Sequence, residues 1–169
     1  SNRIKKLFFK IFNIKKSELI EFDNFAEAEM CKILENSYRA ANIALIEEWG
    51  VLAEHLGINI YPIIKAIKTR KTHSNIMRPG LGVGGYCLTK DPYFAKFSSS
   101  NYLSKKINFP FIDLTMKINS KMHNRSILLV KKAIKKKNIK KILVVGISYT
   151  QDVNDLRNSR AIDILKFLE

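Results

Sequence analysis

The chain has 169 residues and a net charge of +15, and 46% of its residues are hydrophobic and 27% charged. This length fits one domain or slightly more, and the apolar share excludes a disordered chain. The excess of lysine and arginine suits an anionic partner or a solvated lysine-rich surface, because the lysines are spread along the chain. Two distant cysteines fit no metal-binding spacing, and no signal peptide or membrane-spanning run is evident, so we expect free thiols, no metal site and a cytoplasmic location.

The first predicted elements are a helix over Arg3–Phe12 and a short strand over Ser17–Phe22. The helix carries lysines between apolar residues, which fits a membrane-surface helix or, more commonly, a helix packed on its own protein. A lone strand has no sheet to bury it, so we interpret this pair as the end of a larger unit.

A long helix is predicted from Asn24 to Leu56. Glu27 follows Asn24 at the spacing of an N-terminal capping box, and Gly57 is a natural C-cap. Apolar residues nearly surround the part from Tyr38 to Leu56, so we expect it to be buried, either within the domain or against a second subunit.

Three further helices are predicted in the middle of the chain. One begins near Asn59 with Pro62 in its first turn, and one begins at Asp91 and ends at the polar run 98–101. The third is long and extends from Pro110 to about residue 137, with a lysine-rich end that suits the helix dipole.

The C-terminal part of the chain has a different pattern. Residues 140–149 form an apolar, β-branched run that predicts a buried parallel strand, and residues 155–169 are predicted to form a helix after a short turn. One strand and one helix are half of a βαβ unit, so we expect this segment to open a domain that the chain does not complete.

A glycine-rich loop lies between Pro79 and Pro92. Gly80, Gly82 and Gly85 match the pattern G-x-G-x-x-G, but the loop does not connect a strand to a helix N-terminus, so we reject it as a dinucleotide site. Glycine removes the Cβ atom and permits positive φ, which allows a ligand or another backbone segment to approach closely.

Residues with catalytic chemistry follow this loop. Cys87 precedes Lys90 and Asp91 by three and four residues, so a helix beginning here would bring the thiol near a cation and a carboxylate. A nearby cation favours the reactive thiolate, and a carboxylate can hold or deprotonate a water. Lys32 and Asn36 share a face of the first long helix, which taken alone would be a solvated face.

Three segments together resemble the UDP-glucose/GDP-mannose dehydrogenase family, the nucleotide-sugar 6-dehydrogenases. They read AEMCKILENSYRAANIALIEE (28–48), RPGLGVGGYCLTKDP (78–92) and KKILVVGISYTQDVNDLRNSRAIDIL (140–165). The resemblance implies a mainly α fold: a helical central dimerisation domain with long helices, flanked by truncated pieces of two Rossmann-like α/β domains. The implied parts are the tail of an NAD-binding domain (1–22), the central domain with the cysteine loop (23–138) and the start of a UDP-sugar-binding domain (139–169).

The resemblance also implies a reaction. A UDP-sugar is oxidised at its C6 alcohol to a uronic acid through a thiohemiacetal and a thioester on Cys87, with NAD bound by a domain outside the chain. Lys32 would stabilise the oxyanion, Asn36 would bind the substrate or the catalytic water, and Asp91 would position or activate that water. Residues implied to bind the substrate, some of them in a partner subunit, are Gly82, Gly84, Gly85, Arg78, Lys90, Arg70, Lys71 and His73.

Two other interpretations stay open. Thr150 stands where this family usually has a lysine, which weakens a phosphate contact there and suits a dimerisation module that no longer supports catalysis. A basic helical domain that binds nucleic acid or another anion is the second alternative, although no aromatic residues interleave with the lysines of residues 131–141. We expect a homodimer through the long central helix, a UDP-sugar ligand, and neither a nucleic acid nor a membrane partner.

Overall fold

The structure is a computed structural model that describes residues 2–15, 18–104 and 106–169. Its elements in these ranges are helical, so the predicted mainly α fold is confirmed. In chain order they are α1 (Asn2–Phe12), α2 (Phe25–His55), α3 (Ile60–Ile67), a 3₁₀ turn (Lys71–His73), α4 (Asp91–Tyr102), α5 (Pro110–Lys137) and α6 (Arg160–Leu168).

The chain divides into two compact units within α2, one ending at Lys32 and the other beginning at Ile33. In the first unit, Lys5 of α1 forms an ion pair with Glu21. Across the described ranges, no helix has both the length and the apolar character that spanning a bilayer requires. The proposed boundaries of the three family domains stay a prediction.

Local hydrogen bonds explain where α2 begins and ends. The Asn24 side chain accepts a hydrogen bond from the Glu27 N–H at 3.0 Å, and the Glu27 carboxylate accepts one from the Asp23 N–H at 3.0 Å. The first bond satisfies a donor that the first helical turn leaves open, as in a capping box, and the second holds the residue before the N-cap. At the other end Gly57 has φ +67°, a conformation that favours glycine and ends the helix.

The core of the second unit lies where α2 meets α3. Ile46 and Ala53 of α2 pack with Ile60 and Ile64 of α3, and all four are buried. Burial within the domain is confirmed for only part of this stretch, because Trp49 is 58% exposed, and burial against a second subunit stays a prediction. The face that is buried fixes how α2 presents its polar residues to the rest of the unit.

Helix α5 has the bounds predicted from its sequence, and α4 does not. The serine-rich run was predicted to end α4, yet the helix continues through Tyr102. Ser99 is buried, and its hydroxyl accepts a hydrogen bond from the Ile107 N–H at 2.7 Å. Serine is near neutral in a helix, so this tertiary contact outweighs its weak preference for turns.

Both predicted strands are wrong within the described residues. Residues 18–22 do not form a strand, and Ser17 lies outside the described ranges. Residues 140–149 are not a buried strand either, since Leu143 is 86% and Val145 88% exposed. A strand needs a neighbouring strand to receive its backbone hydrogen bonds, and the described residues provide neither segment with one. The C-terminal helix begins at Arg160 rather than at residue 155.

Candidate active site

The glycine loop is held between α2 and α5. Pro79 packs against α2 at Gly50. A Cβ atom added to Gly50 would lie 2.9 Å from the Cβ of Pro79. The Glu47 carboxylate of α2 is buried and lies 3.4 Å from the Gly80 N–H. Burial raises the pKa of Glu47, and the Gly80 N–H partly offsets that rise. Gly82 has φ +98°, and a Cβ there would lie 2.7 Å from the backbone oxygen of Asn119 on α5.

The second half of the loop packs on the C-terminal segment. A Cβ on Gly84 would lie 2.8 Å from the Tyr149 Cβ and 2.9 Å from the Asn158 oxygen. A Cβ on Gly85, which has φ +76°, would lie 2.7 Å from the Tyr149 ring. These three glycines are therefore required by close approach of the chain to itself, one of the two reasons that the sequence suggested.

Cys87 lies in a turn directly before α4. We call residues Gly85–Thr89 the thiol turn. The Asp91 N–H donates to the Cys87 carbonyl at 2.8 Å and the Lys90 N–H donates to it at 3.1 Å. The Cys87 thiol is free and exposed. The helical hydrogen-bonding pattern thus begins at the cysteine and joins its backbone to that of Asp91.

Asp91 is the buried centre of a polar network. It is 8% exposed, and its Oδ2 accepts a hydrogen bond at 2.7 Å from the Nδ2 of Asn36, which is 1% exposed. Its Oδ1 accepts one at 2.7 Å from the Lys90 ammonium. This hydrogen bond raises the pKa of Lys90. A buried carboxylate is costly unless it is paired, and here both oxygens have partners.

Two cations flank the aromatic ring of Tyr86, next to the cysteine. The Lys90 ammonium lies 4.4 Å from the ring centroid and the Arg157 guanidinium 5.3 Å from it. Arg157 also forms an ion pair with Asp155 at 2.7 Å, and this contact lowers the pKa of the Asp155 carboxyl. The surroundings of the thiol are therefore rich in positive charge that carboxylates partly balance.

The other predicted site residues lie at several places in the fold. Lys32 ends the first unit and precedes Asn36 by one turn of α2. Arg78 is exposed and lines a depression of about 510 Å³ together with Lys65 of α3 and Lys68, the C-cap of that helix. Arg70, Lys71 and His73 are exposed at and beside the 3₁₀ turn. Roles of all these residues in catalysis or substrate binding stay predictions.

Sequence reasoning missed the residues that hold the thiol turn. The Asn158 side chain donates to the Gly85 carbonyl at 3.0 Å, and the Thr89 hydroxyl donates to the same carbonyl at 2.9 Å. The Arg157 carbonyl accepts from the Gly85 N–H at 2.9 Å. These partners lie far apart in the chain, and the only sequence signal was that Asn and Thr bond readily to backbone groups.

The glycine series does not fit a dinucleotide. In a pyrophosphate cradle, the space left by missing Cβ atoms admits the ligand. Here Asn119 fills that space at Gly82, and Tyr149 fills it at Gly85. The NAD that the family resemblance implies is therefore not assigned to this loop.

Comparisons with known proteins agree with the resemblance seen in the sequence. Residues 26–121 match the UDP-glucose/GDP-mannose dehydrogenase family, central domain. A UDP-N-acetyl-D-mannosamine dehydrogenase from Pyrococcus horikoshii is 36% identical over 100% of this chain and 39% of the relative. One of the same name from Campylobacter jejuni is 37% identical over 84% of this chain and 33% of the relative.

A solved structure gives the same result for the fold. The UDP-D-ManNAc dehydrogenase of Pyrococcus horikoshii superposes with a TM-score of 0.78 at 34% identity, over 99% of this chain and 38% of that one. The chain thus spans between about a third and two fifths of the length of the relatives described. Its sequence and its fold together place the chain in the UDP-glucose/GDP-mannose dehydrogenase family.

Proposed function

We propose that this chain is the central, cysteine-bearing part of an NAD-dependent dehydrogenase that oxidises the C6 alcohol of a UDP-sugar to a uronic acid. The observation that carries the proposal is the exposed thiol of Cys87. The backbone carbonyl of the same residue accepts a hydrogen bond from the N–H of Asp91, whose buried side chain is hydrogen-bonded to Asn36. An exposed thiol four residues before a buried, hydrogen-bonded carboxylate suits covalent catalysis on an aldehyde.

Cys87 would act in the second half of the oxidation. Its thiolate adds to the C6 carbonyl carbon of the aldehyde, and the carbonyl oxygen takes up a proton to give a thiohemiacetal. Loss of hydride from C6 and of the hydroxyl proton gives a thioester, and water then hydrolyses the thioester to the acid and the free thiol. The Lys90 ammonium lies 2.7 Å from Asp91 and holds that carboxylate in place beside the thiol turn.

The polar network suggests how roles divide among the neighbours. Each Asp91 oxygen accepts one hydrogen bond and keeps a lone pair, so Asp91 can still orient a water. Asn36 is 1% exposed and donates to Asp91, so in this structure its role is to orient that carboxylate. Lys32, one turn earlier on α2, is assigned to the oxyanion by the family resemblance.

NAD, when bound, supplies the acceptor for both hydrides. Since the glycine loop does not fit a dinucleotide, the resemblance assigns NAD to a domain outside this chain.

The relatives' names support a particular sugar. Two of them are UDP-N-acetyl-D-mannosamine dehydrogenases, and we propose UDP-N-acetyl-D-mannosamine as the substrate of this protein. The natural full-length protein is expected to oxidise this sugar nucleotide faster than UDP-glucose or UDP-N-acetylgalactosamine. It should form two reduced NAD per sugar acid, measured by absorbance and mass spectrometry. Oxidation of none of the three would contradict the enzymatic proposal and favour the non-catalytic dimerisation module.

We also propose that α2 forms a homodimer. Large apolar side chains that are about half or more exposed share one stripe along this helix and just past its end: Leu34, Tyr38, Leu45, Trp49, Leu52 and Leu56. The stripe is about 33 Å long at 1.5 Å per residue. A groove of about 610 Å³ between this stripe and the start of α5 would receive side chains of a second copy.

Replacing Trp49 by glutamate should weaken this dimer. Trp49 is 58% exposed at the middle of the stripe, and large aromatic side chains often dominate interface energies. We expect the dissociation constant of the dimer to rise by about thirtyfold or more in sedimentation of the full-length protein. The control is Lys132→Glu, an exposed change on α5. Equal association of the Trp49 variant and wild type would rule out this face.

The basic surface leaves one alternative to test. Retention on DNA that persists at physiological salt would favour an anion-binding domain, whereas phosphate contacts alone weaken steeply with salt. We expect no retention under those conditions.

A further inference from the structure

We infer that Asn158 is a positioning residue for the Cys87 thiol, acting as a clamp on the thiol turn. This inference rests on the proposed function, because it assumes that the place of the thiol matters for catalysis. Asn158 precedes α6 and lies 73 residues from Gly85 in the chain, yet its side chain reaches the turn that carries the cysteine.

The clamp joins the two sides of the turn. The Asn158 amide NH₂ group donates to the Gly85 carbonyl at 3.0 Å and to the Thr89 Oγ1 at 3.3 Å. Gly85 precedes Cys87 by two residues and Thr89 follows it by two. Since the Thr89 hydroxyl itself donates to the Gly85 carbonyl at 2.9 Å, the three groups form a closed triangle across the base of the cysteine turn.

The chemistry of the partners fixes the orientation of the amide. A carbonyl oxygen only accepts hydrogen bonds, so the Asn158 NH₂ group, not its oxygen, must face Gly85. The Gly85 N–H is held as well, by the Arg157 carbonyl at 2.9 Å. Both backbone groups of Gly85 are therefore bonded to consecutive residues of the C-terminal segment.

The backbone of Asn158 is adapted to this role. Its φ is +52°, a left-handed conformation that asparagine tolerates better than most residues. The Tyr149 ring packs on Gly85 from the same segment, and the Arg160 Nε lies 3.3 Å from the Val83 carbonyl. The segment that follows α5 thus sets the conformation of the loop in front of the cysteine.

The test uses Asn158→Gly and Asn158→Asp in the natural full-length protein. Glycine keeps the positive φ and removes the amide, whereas aspartate keeps the shape and turns an oxygen toward the Gly85 carbonyl. Thr89→Val opens the same triangle from the other side. The matched control is Asn138→Gly, because Asn138 is also an exposed asparagine at positive φ, 48°, but caps α5 through its backbone.

Hydrogen exchange measures directly how well the clamp protects the thiol turn. In each of the three variants, amide exchange in the peptide covering residues 84–89 should accelerate about tenfold. The lost hydrogen bonds change the equilibrium between the closed and the open turn by about that factor. The Asn138 control should change exchange in that peptide by less than about twofold. Unchanged exchange at residues 84–89 in all three variants would overturn the clamp.

Kinetics then separate positioning from general structure. We expect kcat for acid formation to fall about tenfold in Asn158→Gly with KM within about threefold, because the thiol and not the substrate affinity is disturbed. A rise of KM with unchanged kcat would overturn the positioning role. If Cys87→Ser kept full acid formation, the proposed function would fail while the exchange result still stood, so the two failures are distinguishable.

Discussion

Replacing Cys87 by serine is expected to lower the rate of acid formation by about 10³-fold or more in the natural full-length protein. Serine keeps the shape of the side chain, but its hydroxyl is not ionised near neutral pH and is a far weaker nucleophile than a thiolate. Oxidation of the alcohol to the aldehyde needs no bond to Cys87. The variant should therefore stop at the aldehyde, which hydrazine would trap for mass spectrometry.

The chain offers a matched control for this substitution. Cys31 is also free and exposed, and it lies near the start of α2. Cys31→Ser should leave acid formation within about twofold of wild type. Near-normal acid formation by Cys87→Ser would rule out the thioester route, and equal losses in both variants would show that the effect is not specific to Cys87.

Replacing Gly82 by alanine is expected to destabilise the fold by about 3 kcal/mol, independently of any activity. Two costs combine at this position. The φ of +98° is unfavourable for a residue with a Cβ, at about 1–2 kcal/mol, and the Cβ would meet the rigid backbone oxygen of Asn119 at 2.7 Å, at about 1–3 kcal/mol. The free energy of unfolding from denaturant titration measures the sum.

Three other glycines separate these two costs. Gly57 has φ +67° and open space, so Gly57→Ala isolates the backbone cost of about 1–2 kcal/mol. Gly84 carries only the close approach to Tyr149 and Asn158, and Gly80 has neither constraint. Gly80→Ala should leave the free energy of unfolding unchanged or slightly higher. If Gly82→Ala were no worse than Gly80→Ala, the loop could not be packed on α5 as described.

The family resemblance linked residues that local sequence signals could not link. Asp91 was placed near Cys87 by its spacing of four residues, but Asn36 lies 55 residues from Asp91, and only the resemblance suggested that it shares their site. The direct contact of Asn36 with Asp91 at 2.7 Å gives that suggestion a physical basis within the second unit. The glycines were expected to admit a sugar, and their substrate contact stays a prediction, whereas their packing on α5 and on Tyr149 is independent of any ligand.

The sequence by itself determined the elements whose signals are local. Helix α5 begins at Pro110 and ends at Lys137 as predicted, and the bond from the Glu27 N–H to Asn24 was visible as a spacing of three residues. Caps, prolines and helical periodicity act over one or two turns of chain, so they can be read without knowing the fold.

Only the tertiary structure decided the features that depend on distant neighbours. The apolar run 140–149 has the composition of a buried strand, but it has no strand partner among the described residues and Val145 is 88% exposed. The clamp of Asn158 on Gly85 has no local pattern. In both cases the outcome depends on which segments meet in space, because backbone hydrogen bonds and close packing require partners that the local sequence does not specify.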